Sequence, residues 1–400
     1  MQINDFNHTE RLDEKKIRFI DVLSFFMGFA SAMLAYVVST YFSRAIGSDN
    51  IGIFYLIAYA IILAILLNLH KLVNISGKSF VFHLAFIIKI IAIVFLIMMP
   101  ISMASAILLV AYIIAEAVSW VALDVILEAF SKDSESGRIR GSHLAIMNTG
   151  FIVGPLLSSQ ILERYDFAGI FVVVLVIHAL IFSTALFGLR GTGYKFKKSI
   201  SVKNLIKDVV RRKNVIRIYY ISFVLEAFYA LMVAYVPIYL LGKGFSWEQL
   251  GIAFTIMLIP FIVVQYPMGI LADRRTGEKE FLILAIAIMG VSSLAFFLLD
   301  SYEIMTWTII LFATRVGAAL IEVLRESYFY KRIDASDVDV INFFKTSKPV
   351  AYIVTMFLAT VVIYFFSIKA VFLLVAIIAF SALYPAFMLV DNKSKAEIMS

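Results

Sequence analysis

Four ionisable side chains lie inside long apolar runs, where charge is expensive: Lys89, Glu116, Glu226 and Arg315. On insertion scales each costs roughly 2.5 to 3.5 kcal/mol at mid-membrane, so each must face a partner or water, and each is a candidate for handling a ligand or an ion. Glu226 shares a helical stripe with Tyr219, Ser222 and Tyr229. That polar and aromatic face suits an organic ligand and a carboxyl that gains and loses a proton; a structural hydrogen-bonding role is the alternative. Arg315 has Thr308 and Glu322 seven residues to either side, and at about 100° per residue all three share one face. It could hold an anionic group or a carboxylate such as Glu226, or form a fixed salt bridge between helices. Parting such a pair changes how tightly the carboxyl holds its proton, a sufficient basis for a proton switch. Lys89 and Glu116 stand equally far from the turn at Ser102 and Met103, which puts them at equal depth as an ion pair, structural in the first instance. Glu116 also shares a stripe with Tyr112, Ser119 and Trp120, leaving a cavity role open.

The elements that carry these groups follow from composition. With 62% hydrophobic and 16% charged residues among 400 and a mean hydropathy of +0.95, the chain is too apolar for a soluble protein of its length. A membrane helix needs roughly 20 apolar residues. Twelve such spans are expected, at about 20–42, 51–69, 81–100, 104–127, 143–162, 167–189, 217–241, 249–270, 281–299, 304–327, 342–366 and 370–390. Basic connections stay on the cytoplasmic side. With the N-terminus inside, 26 of the 35 Lys and Arg fall in inside segments, four in outside connections (Arg44, Arg164, Lys243, Lys369) and five within spans. Both termini are therefore expected in the cytoplasm, in a protein integral to the plasma or inner membrane of the cell. The net charge of +7 then reflects topology and lipid contact, not nucleic-acid binding. Residues 1–18 are polar and mixed in charge, unlike a cleaved signal peptide, so the first span is expected to be retained.

The polar stretch 190–216 divides the chain into a six-span bundle at 19–189 and another at 217–390, between tails at 1–18 and 391–400. Its apolar spacing at Val202, Leu205, Ile206, Val209 and Val210 suggests a short amphipathic helix on the inner leaflet, with a flexible linker as the alternative. At an offset of 198 residues, Asp124 and Glu128 in span 4 align with Glu322 and Glu326 in span 10. Paired carboxylates at the inner ends of equivalent helices are expected of parallel repeats about an axis along the membrane normal. Enzymatic chemistry finds no support. Cysteine is absent, the five histidines lack metal-ligand spacing, and no phosphate-binding loop or nucleophile motif occurs. No cofactor and no metal are expected.

The connection after span 8, with Gly269, Asp273, Arg274, Arg275, Gly277 and Lys279, resembles the cytoplasmic loop signature of the major facilitator superfamily. Gly150, Gly154 and Pro155, followed by Ser158 and Ser159, resemble the span-5 motif of its exporters, with serines where glycines are usual. The first-half loop, His70 to Lys78, keeps only glycine and basic character, and the second copy has an extra residue between Asp273 and Gly277. Span 4 lacks the arginine that proton-coupled exporters often carry there, whereas Thr314-Arg315-Val316-Gly317 in span 10 resembles that motif in the other half. The resemblance implies two six-helix bundles around a central cavity lined by spans 1, 4, 7 and 10. It also implies a cytoplasmic gate in which Asp124, Glu128, Glu322 and Glu326 join Asp273, Arg138, Arg140, Arg274 and Arg332. The function implied is a secondary transporter working by alternating access, exporting a small organic molecule in exchange for protons. Proton-coupled uptake of a sugar, amino acid or organic acid is the alternative, and a non-transporting scaffold or sensor on the same fold is another. A monomer surrounded by lipid is expected.

Overall fold

The computed structural model describes residues 14–128, 136–189, 209, 211–265, 267–268, 278–332 and 338–390. Regular structure among them is helical. Lipid offers backbone groups no partner, so long apolar runs satisfy their own N–H and C=O groups along a helix axis. The N-terminal half contains α1 (Glu14–Ala35), α2 (Val38–Ile46), α3 (Gly52–Ser76), α4 (Lys78–Met98), α5 (Met103–Glu128) and α6 (Ser136–Gly188). The C-terminal half contains α7 (Lys213–Gly242), α8 (Trp247–Ile256), α9 (Pro260–Val263), α10 (Lys279–Leu298), α11 (Ile304–Lys331), α12 (Val338–Lys345), α13 (Ser347–Phe365), α14 (Ala370–Ser381) and α15 (Leu383–Phe387). Ten helical segments among the described residues are long and apolar enough to cross a membrane.

One of these segments is double. A straight helix of the 53 residues of α6 would extend about 80 Å. Yet a Cβ at Gly150 would fall 2.6 Å from the carbonyl oxygen of Phe25, and one at Gly188 would strike the ring of Phe19. Both neighbours belong to α1, six residues apart, so the run must fold back on itself. The reversal sits at Asp166, whose φ of 55° and ψ of −165° are not helical. Aspartate tolerates positive φ better than most residues, and Arg44 Nη1 donates to its two carboxylate oxygens at 3.0 and 3.2 Å. The expected spans 143–162 and 167–189 are thus the two arms of one hairpin.

Other expected spans are broken rather than fused. The span expected at 249–270 begins at a capping box, in which Ser246 and Gln249 bond each other's backbone N–H groups. It then breaks before Pro260, which has no N–H to continue the ladder. The first span breaks at Tyr36 and Val37, where the Val37 N–H reaches back to Leu34 at 3.0 Å. Discontinuous helices are tolerated in membranes where protein buries the freed groups. The loop signature residues Gly269, Asp273, Arg274 and Gly277, the stretch 190–208, and the tails before 14 and after 390 lie outside the described residues. The side chains of Glu128, Arg138 and Arg140 lie outside them too.

The two halves meet along several seams, α2 against α7 among them. Gly52 at the start of α3 packs on Thr360 and on the Met356 carbonyl of α13, while Asn50 Nδ2 donates to the Thr360 carbonyl at 3.1 Å. Farther along the same seam Tyr59 stacks on Tyr352, with ring centroids 3.8 Å apart. Gly251 of α8 abuts Ser159 of α6, and Glu163 accepts the Trp247 backbone N–H at 3.2 Å. Tyr36 stacks on Phe254 at 4.6 Å. These contacts gather toward the end of the molecule that carries Asp166. There, one continuous apolar core joins the halves. Toward the opposite end the N-terminal half has a separate core of its own, built on Ile20, Met27, Phe82, Phe86 and Leu123.

Candidate functional site

The site is assembled chiefly from α7 and α11. Arg325 Nη2 donates to Glu226 Oε1 at 3.0 Å and Arg325 Nη1 to Ser222 Oγ at 2.6 Å, and Ser222 in turn meets Ser347 Oγ at 2.9 Å. Glu226 and Arg325 are both buried. Their pair ties three helices together, and it answers one sequence expectation differently: the partner of Glu226 is Arg325, not Arg315. Depth along α11 explains the choice. Arg325 and Arg315 both face α7, but Arg315 is ten residues, about 15 Å, nearer the Asp166 end, where it meets Phe228 and Tyr229 rather than Glu226.

Arg315 is 2% exposed. Its guanidinium lies over the rings of Phe228 and Tyr229, 5.1 and 5.4 Å from their centroids. Its Nε is buried without a hydrogen-bond partner, and among the described residues it belongs to no ion pair. From the other half Tyr36, at the break between α1 and α2, lies close to Arg315. Ring contact supplies some compensation for the charge.

Glu322 lies on the same side. Its Oε2 accepts from the Tyr229 hydroxyl and from Gln265 Nε2, both at 3.2 Å. Expected in the cytoplasmic gate, it stands instead beside the aromatic cluster, because α11 runs nine residues past it, about 14 Å. It belongs to no ion pair among the described residues. Tyr59, Tyr229, Glu322 and Tyr352 each keep part of their surface accessible, which makes them candidates to line the central chamber that the family resemblance implies.

The N-terminal half holds a second, separate cluster. Lys89, fully buried, forms the expected ion pair with Glu116. Glu116 Oε1 also accepts from Trp120 Nε1 at 2.8 Å and from Ser31 Oγ. Lys89 lies 4.1 Å from the Phe86 ring centroid, and Tyr112 hydrogen bonds to buried His178 at 3.0 Å. Glu116, Tyr112 and Trp120 thus come together, apart from the group of Glu226, Tyr229 and Arg315. Tyr219 joins neither: its hydroxyl meets Thr346 Oγ1 at 3.2 Å and its ring stacks on Phe343.

Of the remaining gate candidates, Asp124 faces Lys345 of the other half at 3.5 Å, with both side chains about half exposed. Glu326 lies one turn past Glu322, and its charge acts on Glu322 and Arg325. Gly150 and Gly154 serve packing, since a side chain at either would run into α1; Pro155 is interior to α6. A latch that sequence reading missed sits beside the loop signature. Buried Glu278 accepts from Lys331 Nζ at 2.6 Å and Ser327 Oγ at 2.7 Å. Tyr36, Tyr59, Gln265, Arg325 and Tyr352 were also unassigned, and only Arg325, a charge within a span, carried a signal. Among the described residues no group of three His, Asp or Glu side chains could hold a metal ion.

Comparison with solved structures finds the same architecture. The nucleoside transporter NupG superposes with a TM-score of 0.71 over 94% of this chain and 100% of that one, at 13% identity. The POT family transporter PepTSo superposes with a TM-score of 0.71 over 94% and 97%, at 11% identity. At such identities the likeness is one of fold. No curated protein sequence matches significantly. The Major Facilitator Superfamily model, however, matches residues 20–333. With that match over most of its length, and with its apolar helices folded as in those transporters, the chain belongs to the major facilitator superfamily and is a membrane transporter rather than an enzyme.

Proposed function

We propose that the protein is a proton-coupled transporter of a small organic molecule, working by alternating access. The observation that carries this reading is Glu322: a carboxyl inside the membrane, hydrogen bonded to Tyr229 and Gln265, reachable from the chamber and belonging to no ion pair among the described residues. A proton removes its charge, and removing a charge changes how readily the site can close away from water. Glu226 is fixed by Arg325 in this state and becomes a second proton acceptor only if that pair separates. The seams at Gly52, Gly251 and Tyr36 close the Asp166 end, which the distribution of basic residues assigns to the outside. At the opposite end Asp124 already faces Lys345 of the other half, and this contact and the loop signature from Gly269 to Gly277 are the proposed gate there.

Two directions of transport have support. The tight packing of Gly150 and Gly154 on α1, in the span that resembles the exporter motif, favours export in exchange for protons. The placement of Glu322 near Arg315, where a proton and a second ligand would share one chamber, favours uptake together with protons. The test is purified protein in proteoliposomes carrying a trapped pH indicator, with sugars, amino acids, organic acids and amphipathic amines added outside. A compound-dependent pH change that Glu322→Gln abolishes is expected, and its sign distinguishes the directions. Undiminished proton-linked flux in Glu322→Gln would remove the assignment of Glu322.

A further inference from the structure

We propose that Arg315 is an anchor for an organic anion, so that the transported molecule carries a carboxylate or phosphate group, next to a flat ring. This deepens the transporter reading and rests on it. An arginine cannot shed its charge in a protein, so a guanidinium inside the membrane needs an anion, a dipole or water. Three other buried charges have an opposite charge: Lys89 meets Glu116, Arg325 meets Glu226, and Glu278 meets Lys331. Arg315 has rings, a tyrosine of the other half close by and a buried Nε with no partner. Glu322, two turns along the same helix, spends its Oε2 on Tyr229 and Gln265 instead.

The fork of a guanidinium matches two oxygens of a carboxylate or phosphate, and such bonds are among the stronger polar contacts. The surroundings fit the rest of the molecule. Tyr229 lies under Arg315 and beside Phe261, Tyr36 is stacked on Phe254, and Tyr59 is stacked on Tyr352. Aromatic walls with one fixed cation select a planar anion over a sugar or an amine. Tyr36 comes from the N-terminal half and Arg315 from the C-terminal half, so an anion held between them touches both parts that must move.

The test is calorimetric titration of the purified full chain with benzoate, phenyl phosphate, methyl benzoate and benzylamine. At least one anion is expected to bind, and the ester and the amine are not. Benzoate alone would identify a carboxylate site and phenyl phosphate alone a phosphate site. Arg315→Gln should weaken anion binding by about ten- to a hundredfold, and Arg315→Lys should restore part of it. Binding of the ester or amine as tightly as the anions, unchanged anion binding in Arg315→Gln, or no binding of either anion by the wild type would each overturn the proposal. Discrimination among the four probes by the wild type reads the same point should Arg315→Gln fail to fold. Proton flux measured in parallel keeps the two readings apart. Flux driven by benzylamine would refute the anion site and leave the transporter reading standing. Arg315-dependent benzoate binding without flux would keep the site and remove proton coupling.

Discussion

Each charged side chain in the core is held by a different kind of neighbour, and substitutions should sort accordingly. Glu226→Ala leaves Arg325 buried without its counter-charge, and about 3–5 kcal/mol of stability is expected to go with it; thermal unfolding in detergent checks this. Glu322→Gln keeps the shape and most of the hydrogen bonding at a site with no ion pair, so the melting temperature should stay close to wild type while proton-linked flux falls. At the Asp166 end, outside the spans, the hydrogen bond from Lys243 holds the Asp300 carboxyl below the ordinary carboxylate range, and the same bond raises Lys243. A lowered carboxyl contributes stability above the unfolded carboxylate range and loses it as pH falls through the folded value. The difference in melting temperature between wild type and Asp300→Asn should therefore be steady near neutral pH and close below about pH 4. It should also be small, because Asp300 is open to solvent. Glu226, Arg315 and the Lys89–Glu116 pair were legible in the sequence because a charge inside an apolar run stands out. Tyr36, Tyr59, Tyr352 and Gln265 were not, because nearly uniform apolarity around a helix hides which face turns inward.

Helices meet here wherever glycine lets one backbone approach another. A Cβ at Gly154 would strike Ala32, and its neighbourhood is backbone that cannot yield. Gly154→Leu should therefore lower the yield of folded protein, read by size-exclusion profile. Gly52 differs in kind, since its neighbours Thr360 and Met356 belong to the other half. Gly52→Leu should fold and act as a wedge at the Asp166 end. A thiol introduced by Ser159→Cys should then react faster with a membrane-impermeant reagent than it does without the wedge. The apolar runs announced these helices, but their interruptions were unevenly readable. Pro260 explains one break on sight. The hairpin at Asp166 has neither glycine nor proline at its turn, yet spans 143–162 and 167–189 were separable because Glu163-Arg164-Tyr165-Asp166 interrupts the apolar run. The break at Tyr36 has no sequence mark at all, since Leu34 to Val38 reads as continuous helix.

The whole molecule is two bundles that share an apolar core at the Asp166 end, while the N-terminal half keeps a second core of its own toward the other end. The absence of cysteine makes it ready for cross-linking without prior removal of thiols. Asn50→Cys with Thr360→Cys, joined by a short cleavable thiol cross-linker across the α3–α13 seam, should stop flux on cross-linking and restore it on reduction. Retained flux in the cross-linked protein would mean that this seam does not open during the cycle. The 198-residue repeat predicted related halves, yet it sets Gly28 opposite Glu226, Ala117 opposite Arg315 and Leu127 opposite Arg325. The chamber charges are therefore one-sided: the C-terminal half supplies them, while the N-terminal half answers with Tyr36 and Tyr59. The solitary guanidinium of Arg315 also bears on kinetics. Already buried against rings and without a counter-charge, this cation must be carried through the cycle uncancelled when no anion is bound, so the unloaded carrier should reorient slowly. Vesicles preloaded with substrate should then exchange it against external substrate much faster than empty vesicles fill.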